Sequence, residues 1–577
     1  MILSSLDWII IGAYFALSLA VGLWTSRQAG KDTASYFLAG RNMPWWLLGV
    51  SMVATTFSTD TPNLVTDLVR QNGVSGNWVW WTFLLTGMLT VFVYAKLWRR
   101  SGVLTDIEFY ELRYSGKAAA FLRGFRALYL GLVFNVLVMG AVSLAAVKFG
   151  EIVLGLPGWI TLTIACSITL AYSALGGLKA VIITDFVQFA LAMIGSLWGM
   201  VYILGLPEIG GLSKLIAHEN VSDRLALIPD LSDPNLWVPV LLVPLAVQWW
   251  ASYYPGAEPG GGGYIAQRMF SAKDESNAVG ATFLFNVAHY ALRPWPWIII
   301  ALSSLVIFPE LKDIQSAFPN LPTDKLGHDV AYPAMLTLLP SGLLGFVAAS
   351  LIAAFMSTMS TQMNLGASYL VNDFYHRFIN TEASEKHLVR AGRMFTVLSI
   401  IFGGGLGLLL TSAGQAFTLL LMIGAGTGLI YILRWFWWRI NAYTEIIAMF
   451  SSLIIAGYLN FGDMELEGWQ KIVIGAVLTT IIWITATYFT PPDNDETLKN
   501  FVKKVNPGGP GWKKYSDGIS SEQWSVPRGI LSMLLGCLAV YGILLGVGQL
   551  IYGNNGSGVL IIIIAVISSI GLFKIWK

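Results

Sequence analysis

Residues 51–69 read SMVATTFSTDTPNLVTDLV, and residues 247–268 read VQWWASYYPGAEPGGGGYIAQR. Each lies inside an apolar stretch long enough to cross a bilayer. The first nevertheless carries Thr55, Thr56, Ser58, Thr59, Asp60, Thr61, Pro62 and Asn63 in its middle, and the second carries Pro255, Glu258, Pro259 and Gly260 to Gly263. Proline removes a backbone donor and glycine weakens a helix interior, so both segments are expected to break. Backbone groups freed in this way cannot face hydrocarbon, and the breaks must line a protein-enclosed or watery cavity. They fall five spans apart. Interrupted helices in corresponding positions of two halves are the sequence sign of an inverted-repeat transporter with its binding sites at the breaks.

The rest of the chain fits that frame. Of 577 residues, 55% are hydrophobic and only 12% charged, too little polar material to cover a water-soluble globule of this size, so the expected solvent is a lipid bilayer. About fifteen segments approach the roughly 20 apolar residues that a spanning helix needs. The fold class is therefore an all-α polytopic membrane protein with a five-plus-five inverted-repeat core. Its expected divisions are an extra N-terminal helix (1–41), a first repeat (42–205), a second repeat (236–433), two further helices (434–490), a solvated linker (491–528) and a C-terminal hairpin (529–577) peripheral to transport. The fifth and sixth spans are read at 158–175 and 180–205, the ninth at 331–373 and the eleventh at 415–433.

Loop charge sets the orientation. Alternate loops hold Arg27, Lys31 and Arg41, then Arg99, Arg100, Arg113 and Arg123, then Arg268 and Lys273, then Arg377, Lys386 and Arg390, while the opposite loops hold Glu208, Asp223 and Asp230 or Asp463 and Glu465. The basic loops read as cytoplasmic, which places the N-terminus outside the cell membrane and the C-terminus inside. The net charge of +2 offers no basic face for nucleic acid, and Cys166 and Cys537 sit in separate apolar segments, away from any disulfide framework or redox motif.

Two features carry chemistry. The ninth span contains AAFMSTMSTQMN, in which Ser357, Thr358, Ser360 and Thr361 fall within about one helical turn. Hydroxyl and carbonyl oxygens suit sodium, because they replace its water shell without holding it too tightly to release. The plainer alternative is that these hydroxyls bond back to carbonyls one turn earlier. Asp185 lies in GGLKAVIITDFVQ, about one turn inside the sixth span, where an ionisable group is costly unless paired. Its alternatives are an ion ligand or a carboxylate paired with an arginine.

ATTFS at the first break, YSALGGLKAVIITDFVQ, the YIAQR after the second break, AAFMSTMST and RWFWWRINAYTE, in this order over roughly residues 5–490, together resemble the sodium:solute symporter family of sugar, proline, sialate and iodide carriers. The resemblance implies one sodium site made by carbonyls of Ala54, Phe57 and Ala354 with the hydroxyls of Ser357 and Thr358. It also implies, in some members, a second sodium held by Asp185, Ser360 and Thr361, with Ser357 shared. The sugar carriers' glutamate near Trp80 or Trp81 and glutamine near Thr61 are missing, which counts against a hexose.

Pocket candidates by location are Ser58, Asp60, Thr61, Asn63, Trp80, Trp250, Glu258, Asn286, His289 and Arg293. The tryptophans also fit an aromatic belt, and His289 with Arg293 would equally brace the helix kinked at Pro294 and Pro296. RWFWWRINAYTE, between the eleventh and twelfth spans, reads as interfacial anchoring. The expected function is sodium-coupled uptake of a small polar solute by alternating access, with sodium, the solute and the bilayer as partners. A symporter-like sensor and a passive ion channel are the competing readings. The chain lacks the HExxH, serine-nucleophile and phosphate-loop motifs of a membrane enzyme.

Overall fold

In a medium without water partners an apolar segment must close its backbone hydrogen bonds on itself, and this chain does so with helices throughout. The computed structural model describes residues 3–29, 31–58, 60–250, 259–319, 321–410, 427–462, 465–516 and 524–576. Among the described residues eleven helices are long and apolar enough to span a membrane, and the only β-pairing is a bridge between Met43 and Ala272.

In chain order, α1 is Ser5–Ala29, followed by α2 (Trp45–Thr55) and α3 (Asp60–Asn72), which together form the first broken span. Next come α4 (Val74–Ser101), α5 (Gly116–Leu154) and α6 (Gly158–Leu204). The second broken span contains α7 (Pro234–Ala246) and α8 (Gly263–Ser271). Then follow α9 (Glu275–Ile307), α10 (Leu343–Ile379), α11 (Glu385–Leu409), α12 (Ala442–Phe461) and α13 (Gly468–Phe489). Helix α14 (Asp495–Val505) precedes the C-terminal hairpin of α15 (Val526–Ile551) and α16 (Asn555–Trp576).

Burial ranks these helices. The apolar window of α10 is 94% buried, against 28% for α1 and 22% for α16. Helix α10, which carries the hydroxyl cluster, is therefore the axle of the molecule, and it packs on α6, α11, α5 and α1. A cap supplied from another helix holds its first turn. Asp7 of α1 accepts the backbone N–H groups of Gly342 and Gly345, both at 2.7 Å, placing a carboxylate at the positive end of the helix.

The fifth and sixth spans meet within α6 at Gly177 (φ 55°, ψ −158°), whose non-helical backbone divides it between 175 and 180, where the sequence placed the boundary; a Cβ there would lie 2.6 Å from the Tyr36 carbonyl oxygen. Two expectations are corrected here. The ninth span begins at Leu343, because Ala331–Leu336 folds as a separate short helix. The segment expected to be a solvated linker is folded onto the body over 495–516. Asn494 caps α14, acids fill its first turn and Lys503 and Lys504 its last, and Leu498, Phe501, Val502 and Val505 are buried. Trp512 is fully buried, and its indole donates to the Trp435 carbonyl. RWFWWRINAYTE accordingly works as the receptor for this segment, not only as an interfacial anchor.

The hairpin packs on the body. Helix α15 packs on α4 and on the middle of α9, with the Tyr541 hydroxyl donating to the Trp81 carbonyl at 2.8 Å. Of the eleventh expected span only 427–433 is described, and Glu258 lies outside the described residues.

Candidate functional site

The first break frees carbonyls at the C-terminal, electronegative end of α2, and side chains from two other helices claim them. The Thr358 hydroxyl of α10 donates toward the carbonyls of Thr55 (3.1 Å) and Phe57 (3.3 Å). From α9 the Arg293 guanidinium donates to Val53 O (3.2 Å) and Thr56 O (3.0 Å) and stacks over Phe57 and Trp297. His289, one turn before Arg293, shares a hydrogen bond with the Thr56 hydroxyl at 3.0 Å and another with Arg293 at 3.3 Å. His289 and Arg293 thus brace the first break rather than the proline kink of their own helix.

Of the residues expected at the first sodium site, the fold brings Phe57 and Thr358 together. The Ala54 carbonyl accepts the Phe57 N–H, and Ala354 is buried on α10 one turn before Thr358. Ser357 points elsewhere, its hydroxyl donating to Asp185 at 2.7 Å.

Asp185 is the centre of a second buried cluster. It accepts from Ser51 (2.5 Å) and Ser357, and an Arg268 nitrogen lies 3.6 Å away, with both charged side chains fully buried. Arg268 on α8 also donates to Ser51 (3.1 Å), Thr55 (3.2 Å), Thr361 (2.7 Å) and Gln267 (3.1 Å). The Ser360 hydroxyl bonds back to the Ser357 carbonyl, as the plainer reading of the hydroxyl cluster anticipated. Among Asp185, Thr361, Thr55 and Ser51, then, the positive charge is a guanidinium. The sequence reading counted Arg268 as loop charge and missed this role, although YIAQR was one of the quoted strings.

A cavity opens beside the first break. Thr61, Trp80, Asn286, His289 and Arg293 line it with Thr56 of the first break, joined by Phe83, Thr86, Thr90, Tyr264, Thr282, Phe285 and Tyr290, which the sequence did not single out. The centre of a water-sized sphere sweeps about 90 Å³ there. One such sphere needs roughly 10–15 Å³, so the space suits several waters or one small solute. Trp80 stacks on Tyr290 and meets His289 edge-on, making one wall aromatic, while the buried Asn286 carbonyl oxygen is without a hydrogen-bond partner among the described residues. A Cβ at Gly87 would overlap that oxygen at 1.8 Å, so glycine there leaves room for the amide. Ser58, Asp60 and Thr61 line a smaller adjoining cavity, whereas Asn63 and Trp250 line neither.

Comparison with known proteins finds relatives along most of the chain. The model of the sodium:solute symporter family fits residues 36–454. A sodium/glucose cotransporter of Vibrio parahaemolyticus is 28% identical over 520 residues, covering 86% of this chain and 92% of that protein. A sodium/mannose cotransporter of Bos taurus is 26% identical, covering 78% of each. Sodium/myo-inositol cotransporter 2 of Homo sapiens is 25% identical, covering 92% of this chain and 82% of its own length. Among solved structures, a Na+-coupled sialic acid symporter superposes with a TM-score of 0.66 at 20% identity, over 85% of this chain and 99% of that one. At that identity the superposition establishes the shared transporter fold.

Proposed function

Because the chain belongs to the sodium:solute symporter family, we propose that it couples the inward movement of sodium to uptake of a small polar solute, with the ion at the first break and the solute in the adjoining cavity. The observation that carries this reading is the Thr358 hydroxyl against the Thr55 and Phe57 carbonyls, since oxygens from a broken helix and from the axle helix meet there. A sodium ion entering between them ties α2 to α10, orders the break and favours the state open to the solute; rocking of one repeat against the other then releases both. We place the repeats at 42–205 and 236–433, with basic loops cytoplasmic, the N-terminus outside and the C-terminus inside the cell membrane.

Asp185 is read as a gate residue. Arg268 supplies the positive charge that a second sodium would bring to that cluster, and the pair joins α6 to α8 between the two repeats. One coupled ion at a driving force of about 150 mV contributes roughly 3.4 kcal/mol, sufficient for about 300-fold accumulation. The relatives' solutes and the aromatic wall support a polyhydroxylated or similarly polar solute. The test is the melting temperature of the purified protein across a solute library in sodium chloride and in choline chloride. Sodium-dependent stabilisation by particular solutes is expected, and binding indifferent to sodium would overturn the coupling.

A further inference from the structure

Asp60 is the first residue of α3, so the second half of the broken helix opens on a carboxylate. That carboxylate lies beside the backbone N–H groups of its own first turn and the Thr61 side chain. Among the described residues no Lys, Arg or His nitrogen reaches it within 4.0 Å. Arg293 shares its electrostatic environment, but this guanidinium is held on the carbonyls of Val53 and Thr56. Two residues before Asp60, Ser58 is only 2% exposed, and among the described residues its hydroxyl has no hydrogen-bond partner. Both residues line the smaller cavity together with Thr358 and Gln362, and Thr61 and Tyr264 are shared with the solute cavity.

A carboxylate at membrane depth costs several kcal/mol without a counter-charge, and the N-terminus of α3 offsets only part of that. The surrounding donor set is one carboxylate and neutral oxygens. Transition metals favour nitrogen or sulfur ligands, and a calcium ion requires six to eight oxygens with several charges, so neither suits this place. A monovalent cation does. We propose that Asp60 and Ser58 form a monovalent-cation subsite between the Phe57–Thr358 sodium position and the solute cavity, filled either by a second sodium or by an ammonium group of the solute. The proposal rests on the reading of the first break as the sodium site.

Asparagine matches aspartate in size and keeps an acceptor oxygen in the first turn of α3, so Asp60→Asn removes the charge with the fold intact. Radiolabelled sodium binding to the purified full-length protein, at constant ionic strength with choline, is compared for wild type, Asp60→Asn, Ser58→Ala and Thr358→Ala. Methylammonium chloride is then titrated in the presence of sodium, with the melting temperature as readout. A fall from two bound sodium ions to one in Asp60→Asn assigns the subsite to sodium. One bound sodium in both proteins, with methylammonium stabilising the wild type about tenfold more tightly than Asp60→Asn, assigns it to a solute ammonium group. Ser58→Ala is expected to weaken the same arm by a smaller factor. Wild-type behaviour of Asp60→Asn in both arms overturns the subsite. Failure of the wild type to bind any sodium overturns the symport reading instead, and the methylammonium arm still decides the subsite.

Discussion

Arg113 and Arg268 are both completely buried, and they are buried in opposite ways. Arg113, between α4 and α5, donates to four backbone carbonyls, those of Arg434, Trp437, Trp438 and Ile440, while its guanidinium lies over the rings of Tyr114, Phe501 and Trp512. Arg268 donates only to side chains, and apart from neighbouring Gln267 they stand on α2 and α10, with Asp185 of α6 beside them. Carbonyls in one tight turn cannot change partners without retracing the chain. Hydroxyls on separate helices can do so by rotating. One arginine is therefore a rivet joining 491–516 to the body, and the other is a contact able to remake itself as the repeats move.

The contrast is broken most directly by removing each arginine. Arg113→Ala strands four buried carbonyls and the Asp493 carboxylate 4.0 Å away. The expected cost is about 3–5 kcal/mol, seen as loss of monodisperse protein and a large fall in melting temperature. Arg268→Ala alone leaves the buried Asp185 carboxylate unpaired, so it is made together with Asp185→Asn; this variant is expected to yield folded protein that does not transport. If the two variants melt at the same depressed temperature, both arginines are rivets and the distinction fails.

Asp185→Asn sharpens the Arg268 side. The amide oxygen still accepts from Ser51 and its NH2 donates to the Ser357 hydroxyl oxygen, which turns its own proton away, so folding should survive, but the guanidinium loses its counter-charge at an expected cost of about 2–3 kcal/mol. Turnover should fall while the ratio of labelled sodium to labelled solute in proteoliposomes stays at the wild-type value. A ratio lower by one would mean that Asp185 holds an ion after all.

The hydroxyl pair then divides. Ser357 serves Asp185 and Thr358 serves the first break, so Thr358→Ala should raise the half-saturating sodium concentration about five- to tenfold, one lost oxygen ligand being worth roughly 1 kcal/mol or more. Ser357→Ala should act mainly on turnover, as Asp185→Asn does. Equal sodium defects in the two variants would restore Ser357 to the ion.

What the sequence disclosed and what it withheld follow from range. The breaks at Thr55–Asn63 and Pro255–Gly263 are local violations of helix chemistry, and the hydroxyl cluster is a local pattern on one helix face, so both are legible in a single string. Arg268 was hidden because a basic residue shortly after a break scores as loop charge, and only the fold shows that α8 carries it back into the core. The docking of 495–516 was hidden for the same reason. Nothing in the period of DETLKNFVKKV names Trp435 and Phe109 as the surfaces that its buried face meets. The pocket's threonines on α4 and α9 resemble any interior threonines until the two helices are brought together.

The smallest effect belongs to the hairpin, and it tests whether a helix outside both repeats shapes the solute cavity. Along α4 the helical ladder tightens after Trp81. The Phe83 N–H bonds Trp80 O and the Leu85 N–H bonds Thr82 O, each three residues back, before Gly87 returns to a four-residue step on Phe83. The Trp81 carbonyl receives the Tyr541 hydroxyl from α15 instead, and the Tyr541 ring rests against Trp78 at 5.2 Å. This irregular turn aims Trp80 at Tyr290 and His289 on the cavity wall. Tyr541→Phe keeps the ring packing and deletes one hydrogen bond, worth about 1 kcal/mol, so the half-saturating solute concentration should rise about fivefold. Sodium affinity and melting temperature should stay near wild type, because the first break and the Arg113 rivet are untouched. A variant that shifts sodium and solute affinity together would show that Tyr541 steadies the whole helix instead of the cavity wall. An unchanged solute affinity would return the hairpin to the periphery.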